Sequence, residues 1–268
     1  MITVNGNELM IEHFPDGTQR LKCDVDGTRH KIVWLYEREE ELSTLIYVTK
    51  HIRNSSQSTE KEVVLVLPYL PNARMDRTKK EDEVFTLKYF CDIINWLHFD
   101  SVKVLDVHSN VGAALLDRVQ VMSPASYISE AIRQVEKKDA ELVLFFPDEG
   151  ASKRYADMFP GYKYIYGNKK REWGTGKILG TEIMNPYNID LTGKRILLVD
   201  DICSRGTTFV KSAEALRTYD VKEVFLYVTH CENTILEGEV LTSGLIERVF
   251  TTNSIFTKEH EKITTMEV

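Results

Sequence analysis

The stretch RILLVDDICSRGTTF, residues 195–209, combines a strand, a polar loop and the start of a helix. Four apolar residues precede two adjacent carboxylates, Asp200 and Asp201, and a segment with helical spacing opens at Thr207 and Thr208. A buried strand that leads through a loop into a helix is the repeating unit of parallel α/β sheets, which bind ligands beyond the carboxyl ends of their strands. The stretch therefore predicts both an α/β fold and the position of a binding site.

The loop after these carboxylates has the chemistry of an anion site. It supplies backbone N–H groups, hydroxyls and a helix N-terminus, all of which favour an anion, and its residues are Ser204, Arg205, Gly206, Thr207 and Thr208. Two ionised carboxylates repel each other unless a cation or hydroxyl donors compensate them, and the vicinal hydroxyls of a ribose are such donors. The pattern predicts a ribose phosphate site, and taken alone it fits a turn with a helix cap equally well.

Short apolar runs alternate with amphipathic segments along most of the chain. The predicted strands are 63–67, 102–107, 141–146, 163–166, 195–199, 224–229 and 248–251, and the predicted helices are 85–97, 126–137 and 207–218. This alternation predicts an α/β protein of two Rossmann-like halves, residues 1–137 and 138–268, each with a mostly parallel sheet flanked by helices.

Two regions depart from the alternation of strands and helices. Residues 2–26 alternate apolar and polar side chains, and Asp-Gly pairs at 16–17 and 26–27 predict turns there. Residues 161–188 are irregular and include GNKKREWGTGK, which predicts a mobile basic loop.

The composition is that of a water-soluble globular protein and excludes several function classes. Of 268 residues, 43% are hydrophobic and 28% charged, and the net charge of −7 argues against a broad surface for nucleic acid. The chain lacks a run of about 18 apolar residues, so no membrane segment is expected. Its four cysteines are widely spaced, which predicts a reducing, cytoplasmic location without disulfides or a zinc knuckle.

Together with the diacid loop, other segments resemble, in chain order, the ribose-phosphate diphosphokinases (phosphoribosyl diphosphate synthetases). They are FPDG at 14–17, PYLPNARMDR at 68–77, DVH at 106–108, PDEG at 147–150 with Arg154, NKKR at 168–171, YVTHC at 227–231 and TTNSI at 251–255. The resemblance implies two phosphoribosyltransferase-like halves, with ATP bound by the first and the ribose phosphate by the second. It further implies an enzyme that transfers the βγ-diphosphate of ATP to the anomeric hydroxyl of a 5-substituted ribose and releases AMP.

The resemblance also implies a role for individual residues. It makes His108, Lys169 and Arg171 catalytic, and it assigns ATP binding to Phe14, Asp16, Arg74, Asp76 and Arg77. It assigns the ribose and its phosphate to Asp200, Asp201 and residues 204–208, and a Mg²⁺ ion or its waters to His108 and Asp148. Ordinary roles remain open, because a strand-end histidine, a charged turn at 74–77 and a basic surface loop at 169–171 are common features.

The sequence departs from the family pattern in the phosphate loop and in the nucleotide segment. Ser204 and Arg205 stand where the family usually carries an acid and a small residue, which adds two units of positive charge beside the 5-substituent. A larger substituent therefore becomes a reasonable acceptor. Phage members of the family that act on ADP-ribose in an NAD-rebuilding pathway provide a precedent. Met75 replaces the usual glutamine, so adenine is expected to be held more by packing.

The chain is also short at both ends relative to the family. Only 13 residues precede Phe14 and 13 follow Ile255, so the usual first strand-helix unit, terminal helix and hexamer are not expected. A dimer is the minimum expected assembly, because the FPDG turn would serve ATP bound to a neighbouring subunit. A phosphoribosyltransferase stays open as an alternative, although the 74–77 and 169–171 segments argue against it. A noncatalytic regulatory subunit also stays open, although the presence of His108, Lys169 and Arg171 argues against it.

Overall fold

The computed structural model describes residues 1–55, 61–171 and 178–268, with the backbone alone for 169–171 and 178–181. The chain divides into two compact units, Met1–Ser123 and Pro124–Val268. The predicted halves, 1–137 and 138–268, differ from these units by the helix α4 (Ala125–Val135). This helix packs against strands of the second unit, and its Ile128 and Ile132 lie in that unit's core.

The first unit contains a six-stranded sheet in the order β2-β1-β5-β6-β7-β8. Strands β5 to β8 are parallel and are connected by α1, α2 and α3, while β1 and β2 are antiparallel additions at one edge. A separate hairpin, β3–β4, carries the Asp16-Gly17 turn. The bounds are β1 Ile2–Val4, β2 Asn7–Glu8, β3 Met10–His13, β4 Gln19–Lys22, β5 Arg29–Trp34, α1 Glu41–Asn54, β6 Glu62–Leu67, α2 Thr86–Trp96, β7 Ser101–Leu105, α3 Asn110–Leu115 and β8 Val119–Met122.

The second unit contains a seven-stranded sheet in the order β11-β10-β9-β12-β13-β14-β15. Strand β11 is antiparallel to β10, and the other neighbours are parallel. The bounds are β9 Leu142–Phe146, α5 Glu149–Tyr155, β10 Tyr164–Arg171, β11 Ile178–Met184, β12 Arg195–Cys203, α6 Thr207–Arg217, β13 Glu223–Cys231, β14 Val249–Thr252 and β15 Ile263–Met266.

The central run of β12, residues 196–199, is apolar because both faces of the strand are covered. Ile196 and Leu198 belong to a core that also contains α6, whereas Leu197 and Val199 belong to a core that contains α4 and α5. A central parallel strand buried on both sides has this continuous apolar run. The predicted fold class, two α/β halves with mostly parallel sheets and flanking helices, is confirmed.

The structure corrects the prediction of a mobile basic loop within residues 161–188. The strand expected at 163–166 continues to Arg171 as β10, and it pairs with β11 in an antiparallel hairpin. Regular pairing of residues 166–171 with 178–184 satisfies backbone groups that an irregular loop would leave to solvent. Residues 172–177 of the predicted loop lie outside the described residues. Among the described residues, none of the helices has the length and apolar character needed to span a bilayer.

Arg195 anchors the amino end of β12 through a charged network at the edge of the sheet opposite Asp200. Its buried guanidinium donates to Asp139 at 2.7 Å and to Glu223, and Lys222 donates to the other oxygen of Asp139 at 2.6 Å. Arg195 and then Lys222 hold the pKa of Asp139 well below its usual range. The network therefore stabilises the fold above the usual carboxyl pKa and loses this contribution as pH falls through the lowered pKa.

Replacing Arg195 with Met is expected to lower the free energy of unfolding by about 2 to 3 kcal/mol at neutral pH, because charged hydrogen bonds are lost and two carboxylates face each other. The difference in the free energy of unfolding between this variant and the parent protein should become smaller at acid pH. Denaturant unfolding at neutral and acid pH measures both effects. The control is Arg248→Met, at an exposed arginine just before β14, with an expected change below about 0.5 kcal/mol. Equal stability of the two variants would contradict the anchoring role.

Candidate functional site

Three carboxylates lie at the carboxyl edge of the second sheet. Asp148 follows β9, and Asp200 and Asp201 lie within β12, which pairs in parallel with β9. Asp200 is half-buried, and the side chain of Asp201 is 5% exposed. The sheet therefore brings Asp148 to the same edge as the Asp200–Asp201 pair, which is distant from it in sequence.

The electrostatics of this edge favour a ligand that supplies hydrogen-bond donors or positive charge. Burial, and then the charge of Asp201, raise the pKa of Asp200 well above its usual value, with a smaller contribution from Asp148. The backbone N–H of Asp201 donates to Asp200 Oδ1 at 3.0 Å, and Arg154 lies 3.2 Å from Asp201 Oδ2. Arg154 balances the charge of Asp201. A diol or a cation would stabilise Asp200 in its ionised form.

The loop between β12 and α6 depends on a glycine. Gly206 has φ +75°, and a Cβ at this position would lie 2.1 Å from Cγ2 of Val240. Its carbonyl accepts from the N–H groups of Phe209 and Val210 at 2.9 and 3.1 Å, which starts the first turn of α6. Gly206 thus permits a tight turn from β12 into α6. The N-terminal N–H groups of α6 favour an anion at Thr207 and Thr208.

A segment that the sequence reading did not identify holds the outer side of this loop. We call residues 232–238, which contain a short 3₁₀ helix, Asn233–Glu237, the brace. Ser204 Oγ lies 2.9 Å from Thr234 Oγ1, and Arg205 donates to Glu237 Oε2 at 2.9 Å. A Cβ on Gly238 would lie 2.0 Å from the carbonyl oxygen of Arg205, so this glycine permits close packing. The parallel register of β12 with β13 places the brace beside the loop.

Replacing Gly206 with Ala should displace the loop, because alanine is strained at this φ and its Cβ would collide with Val240. We expect a loss of about 1 to 3 kcal/mol in stability and at least a roughly tenfold rise in the KM of the sugar acceptor that the sequence predicts. Gly161→Ala is the matched control, since a Cβ there meets no atom within 4 Å. Removing the colliding atom in Gly206→Ala/Val240→Ala should recover part of the acceptor affinity. An unchanged acceptor KM in Gly206→Ala would argue against the loop's role.

A cleft of about 430 Å³ lies next to Asp148 at the same edge of the sheet. Asp148 caps α5 by accepting from the N–H of Ala151 at 3.0 Å. The cleft is lined by Asp148, Glu149, Gly150, Tyr166, Gly167, Asn168 and Met184. Lys169 and Arg171, predicted to be catalytic, follow Asn168 on β10, and only their backbones are described. The backbone of β10 therefore leads from the cleft to both residues.

The predicted ATP-binding residues lie in two segments of the first unit. Phe14 and Asp16 lie in the turn of the β3–β4 hairpin, where Phe14 is 51% exposed and Asp16 accepts from the N–H and Oγ1 of Thr18. These bonds, the side-chain bond first, lower the pKa of Asp16. Arg74, Asp76 and Arg77 lie together in the loop after β6.

In that loop, the Arg77 side chain is largely exposed and lies 3.7 Å from Asp76, whose side chain is mostly buried. Arg74 is exposed. A weak pair at this distance leaves the guanidinium of Arg77 able to exchange Asp76 for a phosphate.

His108, which is predicted to be catalytic, lies after the end of β7, and its side chain is half-buried.

The acids of the second unit fit a magnesium ion better than a transition metal. Among the described residues, no group of three or more His, Cys, Asp or Glu side chains is arranged to hold a metal by itself. Mg²⁺ does not need such a group, because it binds through one or two carboxylates, substrate phosphates and water. Asp148, beside acids whose charge is not fully balanced, suits this role. His108 offers a nitrogen, which suits contact with a metal-bound water or a phosphate better than direct Mg²⁺ binding.

Comparison with known proteins gives one consistent result. The phosphoribosyl transferase domain model matches residues 152–259. The chain is 30% identical to the ribose-phosphate pyrophosphokinase of Pyrococcus abyssi, covering 92% of this chain and 82% of the relative. It is also 30% identical to that of Thermococcus kodakarensis, with 90% and 81% covered. The fold resembles the phosphoribosylpyrophosphate synthetase of Mycobacterium smegmatis, with a TM-score of 0.74, 18% identity, and 97% of this chain and 86% of that chain covered.

Proposed function

The chain belongs to the ribose-phosphate pyrophosphokinase family, and from that premise we propose that it transfers the βγ-diphosphate of ATP to the anomeric hydroxyl of a 5-substituted ribose. AMP is the second product. The observation that carries the proposal is the Asp200–Asp201 pair, which lies near the carboxyl end of β12 and is followed by the loop that leads to the start of α6. This arrangement provides one position for a diol and another for a phosphate on the same sugar.

In the second unit, Asp200 and Asp201 accept hydrogen bonds from the two ribose hydroxyls. The 5-phosphate binds to the N–H groups of the loop and to the hydroxyls of Thr207 and Thr208. Ser204, held by Thr234, fixes the first turn of the loop. Binding at two points orients the anomeric oxygen, which is the nucleophile of the reaction. No protein nucleophile is required, and buried Cys203, whose pKa is raised chiefly by its contact with Cys231, is poorly suited to be one.

In the first unit, we assign ATP to the hairpin turn and to the loop after β6. Phe14 packs against adenine, Arg74 and Arg77 bind phosphates, and Asp76 orients the nucleotide or its neighbouring arginine. Asp16, which accepts hydrogen bonds from the backbone and side chain of Thr18, keeps the turn of Phe14 in place. Lys169 and Arg171 neutralise the charge that develops on the transferred phosphates.

We assign Mg²⁺ to Asp148, with His108 binding the ion or one of its waters. The ion would supply positive charge to the phosphates of ATP. The neighbouring Asp200–Asp201 pair would gain from the same charge, because burial and the charge of Asp201 disfavour the ionised form of Asp200. These residues retain their own task of binding the sugar.

Two sugars are candidates for the acceptor. The curated relatives are named for ribose-phosphate, which favours ribose 5-phosphate. Arg205 adds a cation on the outer side of the loop, which favours an acceptor with a second phosphate such as ADP-ribose. We propose that the site takes 5-substituted riboses and that Arg205 decides between a 5-monophosphate and a 5-diphosphate.

We further propose a cytoplasmic homo-oligomer of at least two copies. The β3–β4 hairpin exposes large apolar side chains, Met10, Ile11 and Phe14, which suit an interface better than open solvent. All four cysteines are free, in keeping with a reducing compartment.

The test is a comparison of acceptors. The protein is incubated with ATP and either ribose 5-phosphate or ADP-ribose, with Mg²⁺ or with a chelator, and AMP and the sugar diphosphate are measured by mass spectrometry. We expect both products with Mg²⁺ and at least one acceptor, and neither product with the chelator. Product from a purine base and phosphoribosyl diphosphate instead would favour a phosphoribosyltransferase, with which the second unit shares its domain model.

A further inference from the structure

The brace contacts the loop between β12 and α6, which we call the acceptor loop, through its backbone and through two side chains. It fixes the backbone through Gly238, which packs against the carbonyl of Arg205, and through the N–H of Glu232, which donates to Cys203 O at 2.8 Å. It also holds two side chains, Ser204 through Thr234 and Arg205 through Glu237. The brace, including Glu237, is not part of the diacid motif. The effect of the brace on acceptor binding is therefore a separate question.

The two side-chain contacts differ in strength. Ser204 and Thr234 are half-buried, and Thr234 also donates to Glu232 Oε2 at 3.2 Å, so this pair belongs to a connected network. The side chains of Arg205 and Glu237 are 67% and 60% exposed. An exposed ion pair contributes little to stability. The guanidinium can therefore leave Glu237 without moving the backbone, which Gly238 holds independently.

We propose that Glu237 sets the acceptor preference of this site by competing with the acceptor's second phosphate for Arg205. The proposal rests on the function proposed above. A 5-monophosphate is satisfied by the N–H groups and hydroxyls at the start of α6, which leaves the Arg205–Glu237 pair intact. A diphosphate extends beyond these groups and takes the guanidinium through paired N–H bonds, which requires Glu237 to release it. Glu237 thus opposes nucleoside-diphosphate sugars and leaves sugar monophosphates unaffected.

The test measures kcat/KM for ADP-ribose and for ribose 5-phosphate in Glu237→Gln, Arg205→Gln and the double variant. Glu237→Gln should raise the ratio of ADP-ribose to ribose 5-phosphate about two- to fivefold, and Arg205→Gln should lower it. In the Arg205→Gln background, Glu237→Gln should change little, because its partner is gone. Where one sugar gives no turnover, its inhibition constant against the other replaces its kcat/KM.

Glu239→Gln is the matched control, because it removes the same charge from an exposed position close to Glu237 and should leave the ratio unchanged. The shift in Glu237→Gln should also shrink at high ionic strength. An unchanged ratio in an active Glu237→Gln enzyme would overturn this inference alone. A shift that persists in full without Arg205 would also overturn it, since Glu237 would then act by direct repulsion. Absence of AMP from the parent protein with both sugars would overturn the proposed function and this inference with it.

Discussion

Replacing Asp200 with Asn is expected to lower kcat/KM for the sugar acceptor about ten- to a hundredfold, and replacing Asp201 should have a similar effect. Each variant keeps the shape of the side chain and exchanges a charged hydrogen-bond acceptor for a neutral one. The double variant should lose about a thousandfold, because both ribose hydroxyls lose a charged partner. The KM for ATP should change little, since the proposed ATP-binding residues lie in other segments. Steady-state kinetics with each substrate varied in turn measures these effects.

Stability measurements separate this loss from unfolding. Burial and Asp201 raise the pKa of Asp200, so its ionisation opposes folding once pH rises above the usual carboxyl pKa. Asp200→Asn should therefore melt no lower than the parent at neutral pH, and any gain should vanish in acid. Exposed Asp157 in the same unit supplies the control Asp157→Asn, which should keep full activity. Full activity of the double variant would refute the binding of the diol.

Replacing Lys169 with Ala is expected to lower kcat about a hundred- to a thousandfold, as is usual when one charged or polar group that stabilises a transition state is removed. The KM values should change much less, because the proposed contact forms mainly as charge moves onto the transferred phosphates. Arg171→Ala should behave in the same way. Single-turnover kinetics with saturating ATP gives the rate of transfer directly.

The matched control for this prediction is Lys163→Ala, at an exposed lysine just before β10 that lies 3.8 Å from Glu141. This variant should keep the parent kcat. A Lys169→Ala enzyme that also keeps it would show that the cation at this position has no part in the transfer.

The sequence alone was sufficient to predict an element where the local residue pattern agrees with the tertiary environment of that element. Strand β12 is buried on both faces, so its composition alone indicates a central parallel strand, and the acids near its carboxyl end predict the edge that binds a ligand. Helix α6 shows the same agreement, because its apolar spacing matches the face that packs on the sheet. The fold class followed from these elements, and the proposed position of the sugar site rests on them.

Helix α1 was not identified because its buried face is partly polar. Thr44, Leu45, Val48, Thr49 and Ile52 have helical spacing and are all buried, yet two of them are threonines. A threonine contributes little to an apolar stripe and favours strands. The spacing of these buried positions was the signal that could have found the helix.

The brace could not be predicted from local sequence. Its contacts depend on the register in which β12 and β13 pair, with Cys203 opposite Cys231. Register is set by packing across the whole sheet and by no residue of the loop. Consequently Arg205 was read as an added charge, whereas the structure shows that Glu237 balances it. The remaining question at the outer side of the site is therefore which anion holds Arg205.

The central claim, transfer of a diphosphate to a ribose bound by the aspartate pair, is tested most directly by product stoichiometry. The protein is mixed with ATP, Mg²⁺ and the acceptor, and all nucleotides and sugar phosphates are quantified by ³¹P NMR. The account predicts AMP and sugar 1-diphosphate in equal amounts, with both formed far more slowly when Asp200 and Asp201 are replaced by Asn. Formation of ADP and a sugar bearing one additional phosphate, or no AMP at all from the parent protein, would contradict it.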